Sequence, residues 1–166
     1  MISNIPYYVS SALTFKILRY KFEFAVLTYQ EEFARRLIAE PGGADYGRLT
    51  VNAKVRAEVD FLEKIPKNAF FPVPDVDSAI VMVKPRESLP IRSAIEKFQK
   101  VVDGIFPYRN KKARTATSHF LNILKVEKAT RERILEKLPY SDYRVKDLNI
   151  KMIDKITMHI YGFLEG

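Results

Sequence analysis

The chain has 166 residues, 47% of them hydrophobic, enough to bury the core of one ordinary domain or two small ones. Its 28 Lys and Arg against 20 Asp and Glu give a net charge of +8, which favours an anionic partner such as nucleic acid or a membrane surface. The absence of Cys excludes disulfide scaffolds, thiolate zinc sites, iron–sulfur clusters and Cys nucleophiles, and two His leave little for a His-based metal centre. The opening Asn4-Ile5-Pro6-Tyr7-Tyr8 reads as a loop or a strand end, because Pro6 fixes its own φ and pushes Ile5 toward extended backbone. Ser10 or Ser11 can cap a helix running to about Tyr20, with Leu13, Ile17 and Leu18 on one side. The short unbroken run Phe24-Ala25-Val26-Leu27-Thr28-Tyr29 suits a strand covered on both faces, as in a parallel sheet. A helix follows, with Glu31 and Glu32 in its first turn, Arg35 and Arg36 later, and Pro41-Gly42-Gly43 to stop it.

From Leu49 to Val59 every odd position is apolar and every even one polar, the local pattern of a half-buried strand. Asp60–Ile65 and Ser78–Val83 are further extended candidates, joined through Pro66, Pro72 and Pro74. Beyond Pro85 the period becomes helical. Ile91, Ile95, Phe98, Val102, Ile105 and Phe106 step by three or four, as do Ile153, Ile156, Ile160 and Phe163, with shorter helices expected at Lys111–Leu124 and Thr130–Leu138. The reading is an α/β part over residues 1–86 followed by a small all-helical part over 87–166. No apolar run approaches the roughly 18 residues that span a bilayer, and Met1-Ile2-Ser3-Asn4 lacks the basic and apolar regions of a signal peptide, so a soluble cytoplasmic chain with no membrane partner is expected.

Asn4-Ile5-Pro6-Tyr7 has the residue types that methylation of a nucleobase amine calls for. An exocyclic adenine amine is a poor nucleophile because its lone pair is delocalised into the ring. Two acceptors aimed at its hydrogens, the Asn4 side-chain carbonyl and the Ile5 backbone carbonyl, favour a pyramidal nitrogen whose lone pair can attack a methyl sulfonium. Pro6 holds that carbonyl in place, and Tyr7 offers a face on which an unstacked base can rest. The alternative is a plain turn after a strand, since tetrapeptides recur by accident.

A second element is Pro66-Lys67-Asn68-Ala69-Phe70-Phe71-Pro72-Val73-Pro74-Asp75-Val76-Asp77-Ser78, an aromatic residue ahead of a Pro-x-Pro and a strand. Together with Tyr29–Arg36, Tyr46-Gly47-Arg48-Leu49-Thr50 and the Phe106-x-x-Arg109-Asn110-Lys111-x-x-Arg114 segment, it resembles the small-subunit ribosomal RNA adenine N6-dimethyltransferases, relatives of the erythromycin-resistance methylases. The matches are collinear and cover nearly the whole chain. The resemblance implies the second half of a Rossmann-like methyltransferase domain over 1–86 and a helical RNA-binding domain over 87–166. Asn4 would then orient the target amine beside the methionine moiety of S-adenosylmethionine. Tyr7 and Phe70 would sandwich the flipped adenine, Ile5 and Pro6 would line its edge, and Phe71, at a variable position, would pack rather than stack. It also implies a helix from about Tyr46 to Ala57, against the local alternation.

One departure from the family matters. Its Gly-rich cofactor loop and the acidic residue on the next strand have no counterpart among the 6 glycines and the early strands here, so the resemblance implies a C-terminal portion that cannot bind S-adenosylmethionine alone. The implied activity is dimethylation of adenine N6 in small-subunit ribosomal RNA, with the pre-ribosomal small subunit as partner and no metal. A non-catalytic RNA-binding or ribosome-assembly module is the alternative, and a DNA adenine methyltransferase fragment a third. For phosphate contact the expected residues are Arg109, Lys111, Lys112 and Arg114, with Arg35, Arg36 and Arg48 as weaker candidates. His119 and His159 lack partners at metal spacing, and Asp75 and Asp77 point to opposite sides of an extended segment.

Overall fold

The computed structural model describes residues 1–165. The chain forms two compact units that are discontinuous in sequence, Met1–Ala39 with Ala53–Ser88, and Glu40–Asn52 with Leu89 onward. In the first unit a four-stranded sheet has the order β1-β2-β4-β3. β1 (Ile2–Asn4) runs parallel to β2 (Ala25–Gln30), whereas β4 (Ser78–Pro85) pairs antiparallel with both β2 and β3 (Ala57–Ile65). The apolar run at 24–29 therefore marks a strand paired on both edges in a mixed sheet, not a parallel one. Ala25, Leu27 and Tyr29 are buried and the alternate residues half-buried, so neither face is left open to solvent.

Helix α1 (Ser10–Ile17) is shorter than expected, its end tightening into turns at Arg19 and Tyr20. Neither serine caps it. A 3-10 turn over Tyr7–Val9 runs straight into the helix, the Ser10 N–H already bonds the Tyr7 carbonyl, and the Ser10 hydroxyl donates to that same carbonyl at 3.0 Å. Helix α2 (Glu31–Ile38) follows β2 directly and ends before Pro41.

Helix α3 covers Arg48–Lys54, inside the expected 46–57, and the chain is back in strand at Ala57. The alternation misleads here because Leu49, Thr50, Val51, Asn52 and Ala53 are all buried, so the even, polar positions do not form a solvent face. Thr50 instead uses its hydroxyl to accept the Gly47 N–H at 3.1 Å, completing the helix start.

The second unit packs α4 (Ile95–Ile105), α5 (Ala113–Ile123), α6 (Lys128–Glu136) and α7 (Ile150–Leu164) around Phe98, Val102, Phe120, Leu121, Ile134, Ile153 and Ile156. Asn149 caps α7 by accepting the Met152 N–H. Buried Asp154 accepts the N–H groups of Arg92 and Ser93 and the Ser93 hydroxyl, so the carboxylate is satisfied and the approach to α4 is fixed. Gly104 lets α4 approach α5 closely, since a Cβ there would overlap the Phe120 ring.

Residues 40–52 join this unit, so one cut at 86/87 does not describe the chain. The reasons are specific. Buried Tyr46 donates its phenol to the Leu148 carbonyl at 2.7 Å and lies against Phe106, and Gly42, at φ 88°, donates its N–H to the Lys146 carbonyl at 2.8 Å.

Candidate functional site

The chain leaves the sheet at Asn4. The Ile5 N–H donates to the Thr28 carbonyl at 3.1 Å, the Ile5 side chain is buried, and Pro6 (φ −58°, ψ 130°) turns the backbone into Tyr7–Val9. This anchoring by the N–H leaves two acceptors open. The exposed Asn4 side chain and the Ile5 carbonyl accept no hydrogen bond among the described residues.

Tyr7 is half-buried, and its phenol shares a 2.6 Å hydrogen bond with the Ser78 hydroxyl. Ser78 is the first residue of β4, fully buried, opposite Gln30 of β2 and Ile65 of β3. The segment 66–77 that joins β3 to β4 carries Phe70, which is half-buried in extended backbone. Phe71 is fully exposed, so the packing role expected of it is not observed; it lies among exposed loop residues between Phe70 and a cis peptide bond to Pro72.

The stem of this loop is closed electrostatically. Asp77 accepts the Lys67 N–H at 2.9 Å and the Lys64 ammonium at 2.7 Å, its carbonyl accepts the Glu31 N–H, and Lys64 also pairs with Glu31 at 2.8 Å. The Lys64 ammonium, then Arg35, hold the Glu31 carboxyl below its usual range, and Lys64, then the Lys67 N–H, do the same for Asp77. Because both folded values are depressed, this contribution is present above the ordinary values of 4.5 and 3.8 and is lost as pH falls through the lower folded ones. Corrected for the intrinsic exchange rate, which itself slows with acidification, amide protection over 66–77 should therefore drop below about pH 4.5. Lys64→Met should already exchange fast at neutral pH; equal protection in the variant and the parent at neutral pH would remove this clamp from the account.

The expected basic cluster is largely engaged. The Arg109 guanidinium donates to the carbonyls of Gly43 (3.2 Å) and Ala44 (2.8 Å), Arg114 to the Leu135 carbonyl (2.8 Å), and Lys112 pairs with Asp142 at 2.8 Å. Lys111 is exposed. The first N–H groups of α5 are also taken, Ala113 by the Tyr143 carbonyl and Arg114 by that of Ser141. Arg35 pairs with Glu31 and lies 5.6 Å from the Phe61 ring centre, Arg36 is exposed beside it on α2, and Arg48 faces Asp103 at 3.6 Å. His119 stacks on Tyr108, and His159 bonds the Ile134 carbonyl.

Sequence reasoning missed Ser78, Lys64 and the pairing of Asp77 with Lys64 and the Lys67 N–H. A serine heading the apolar stretch Ala79–Val83 was the available signal. Among the described residues no group of three or more His, Asp or Glu could hold a metal, and no helix is long and apolar enough to cross a membrane.

The chain and its fold have counterparts among known proteins. A sequence model of the family described as "Ribosomal RNA adenine dimethylase" matches residues 1–156. The chain is 40% identical over 159 residues to "Probable ribosomal RNA small subunit methyltransferase A" of Thermococcus sibiricus, covering 94% of this chain and 57% of that protein. It is 45% identical over 127 residues to the protein of the same name from Methanosarcina acetivorans, covering 76% of this chain and 47% of the relative. Among solved structures, a dimethyladenosine transferase from Plasmodium falciparum superposes with a TM-score of 0.86 at 28% identity, over 98% of this chain and 66% of that one. The 23S rRNA methyltransferase ErmE superposes with a TM-score of 0.61 at 26% identity, over 96% and 64%. The mixed α/β fold with its helices is shared with these methyltransferases, and the chain spans about half the length of the curated relatives it matches.

Proposed function

The chain belongs to the ribosomal RNA adenine dimethylase family, and from that premise we propose that it supplies the adenine pocket and the RNA-docking helices of an S-adenosylmethionine-dependent N6-dimethyltransferase of small-subunit ribosomal RNA. Ribosome biogenesis on the pre-ribosomal small subunit and a cytoplasmic setting belong to the same proposal, with residues 1–86 as methyltransferase half and 87–166 as RNA-binding part, residues 40–52 folding with the latter. The observation that carries it is the pair of unpartnered acceptors at Asn4 and Ile5 next to a half-buried Tyr7.

The two carbonyls accept the two N6 hydrogens of an adenine held against Tyr7 and Phe70, which draws the nitrogen toward a pyramidal form and frees its lone pair. The product amine is cationic until it loses its proton, so no general base is needed beforehand. S-adenosylmethionine, when bound, supplies the methyl group. The residues present do not by themselves fit that cofactor. Gly42, the positive-φ glycine among the described residues, lies after α2 rather than in a strand-to-helix loop, and Asn4 is one polar contact at its methionine end. The remainder of its site is assigned to the part of the relatives that this chain does not span, and the isolated chain is proposed not to bind it.

Binding supplies the direct test. A single-stranded RNA with one unpaired adenine should bind this chain more tightly than the same RNA abasic at that position, and equal affinity would overturn the pocket. The phosphate surface is tested separately by salt. Replacing Lys111 and Lys112 together by Gln should flatten the slope of log affinity against log salt by about 0.7–0.9 for each phosphate that is no longer neutralised. Arg109→Gln should instead lower the melting temperature, since it unpins Gly43 and Ala44. An unchanged slope in the double lysine variant would move the RNA surface to Arg35, Arg36 and Arg48.

A further inference from the structure

We propose that Ser78 is a positioning residue of the adenine pocket, its buried hydroxyl fixing the Tyr7 ring to the stem of the loop that carries Phe70. The inference rests on the adenine-pocket reading above and adds the device that sets the pocket's shape.

Ser78 heads a strand that continues Ala79-Ile80-Val81-Met82-Val83, lies between two neighbouring strands and has no exposure. Packing alone would be served there by alanine, as at the equally buried Ala79. A hydroxyl in that place needs a partner, and its partner is the Tyr7 phenol, 71 residues earlier in the chain, at 2.6 Å. The stacking face of Tyr7 does not require the phenol oxygen, so that atom is free to serve as an anchor. The ring is thereby held at both ends, its Cβ by the Tyr7–Val9 turn and its oxygen by the sheet.

The sheet end of this anchor is also the return point of the aromatic loop. Asp77, next to Ser78, closes the loop stem through Lys67 and Lys64 and is tied by its carbonyl to Glu31. Tyr7 and the Phe70 loop are thus referred to one fixed point on β4, which gives two aromatic residues far apart in sequence a defined common frame. A base sandwiched between them senses that frame. A hydroxyl that served folding only would leave discrimination of the base untouched.

The test compares affinities of the chain for two RNAs, identical except that one carries an unpaired adenine and the other an abasic site there. For Ser78→Ala the adenine-to-abasic affinity ratio should fall about fivefold, the size of one net hydrogen bond, while abasic affinity stays at the parent level. Tyr7→Phe should produce the same fall, and the double variant no further one, since both remove the same bond. Ser78→Thr, which keeps the hydroxyl, should retain the parental ratio even if its added methyl lowers the melting temperature. A parental ratio in Ser78→Ala, or additive losses in the double variant, overturns the proposal while leaving the pocket standing. A parent chain that does not distinguish the two RNAs overturns the pocket itself, and this inference with it.

Discussion

Replacing Asn4 by alanine, in an enzyme completed by the part of the relatives that this chain does not span, should lower turnover by about 100- to 1000-fold, the usual cost of removing one preorganised polar group from the reacting centre. RNA affinity should change little, because the carboxamide matters most as the amine nitrogen becomes pyramidal and its hydrogens acquire positive charge. The structure makes the substitution a clean probe. Asn4 is exposed, its side chain makes no hydrogen bond among the described residues and it stands at the end of the pairing of β1 with β2, so stability should move by no more than about 0.5 kcal/mol. Single-turnover methyl transfer with saturating RNA separates this effect from binding. Near-parental turnover in Asn4→Ala would take the amine-orienting role away from it.

Truncating the aromatic walls should act on binding. Tyr7→Ala and Phe70→Ala should each lose about 1–3 kcal/mol of base stacking, roughly 5- to 150-fold in affinity for RNA with an unpaired adenine. Leucine at either position should recover little, since bulk without a π-face does not stack. The two sites differ in their side effects. Tyr7→Ala also strands the buried Ser78 hydroxyl and should lower the melting temperature, whereas Phe70, half-buried on a loop, should be truncated with less change. Phe71→Ala is the internal control. That ring is fully exposed, and a loss at Phe71 matching that at Phe70 would mean the stacking residue had been misassigned.

The parts of the fold that were legible in the sequence are those where periodicity and burial coincide. The helices of the second unit present apolar stripes to one core, and α4 and α7 fall where the steps of three and four put them. α3 shows the opposite case. Five successive residues are buried, so its period-two pattern carries no information about a solvent face, and family resemblance rather than local pattern indicates a helix. The attachment of residues 40–52 to the second unit depends on Tyr46 reaching Leu148, a pairing 102 residues apart that no local window contains.

The candidate site was legible in part. Asn4 and Ile5 stand at the end of β1 with acceptors open among the described residues, an arrangement that the proposed amine-orienting role would use, whereas charge clustering alone could not tell solvated cations from engaged ones. Arg109 and Arg114 carry the expected charge yet donate to carbonyls, a use that neither charge nor spacing in the sequence shows. The alternation of Asp75 and Asp77 says only that they make a poor metal site, while the actual partners of Asp77, Lys64 and the Lys67 N–H, lie ten or more residues away.

The central claim is that this chain presents adenine N6 to a methyl donor, and product analysis tests it most directly. The chain would be combined with the segment of a matched relative that it does not span, S-adenosylmethionine and small-subunit ribosomal RNA, and the RNA then digested to nucleosides and analysed by mass spectrometry. The account predicts N6-dimethyladenosine when both protein pieces are present and none with either alone. Unmethylated RNA from a folded, RNA-binding assembly of the two pieces, or methyl groups on an atom other than adenine N6, would contradict it.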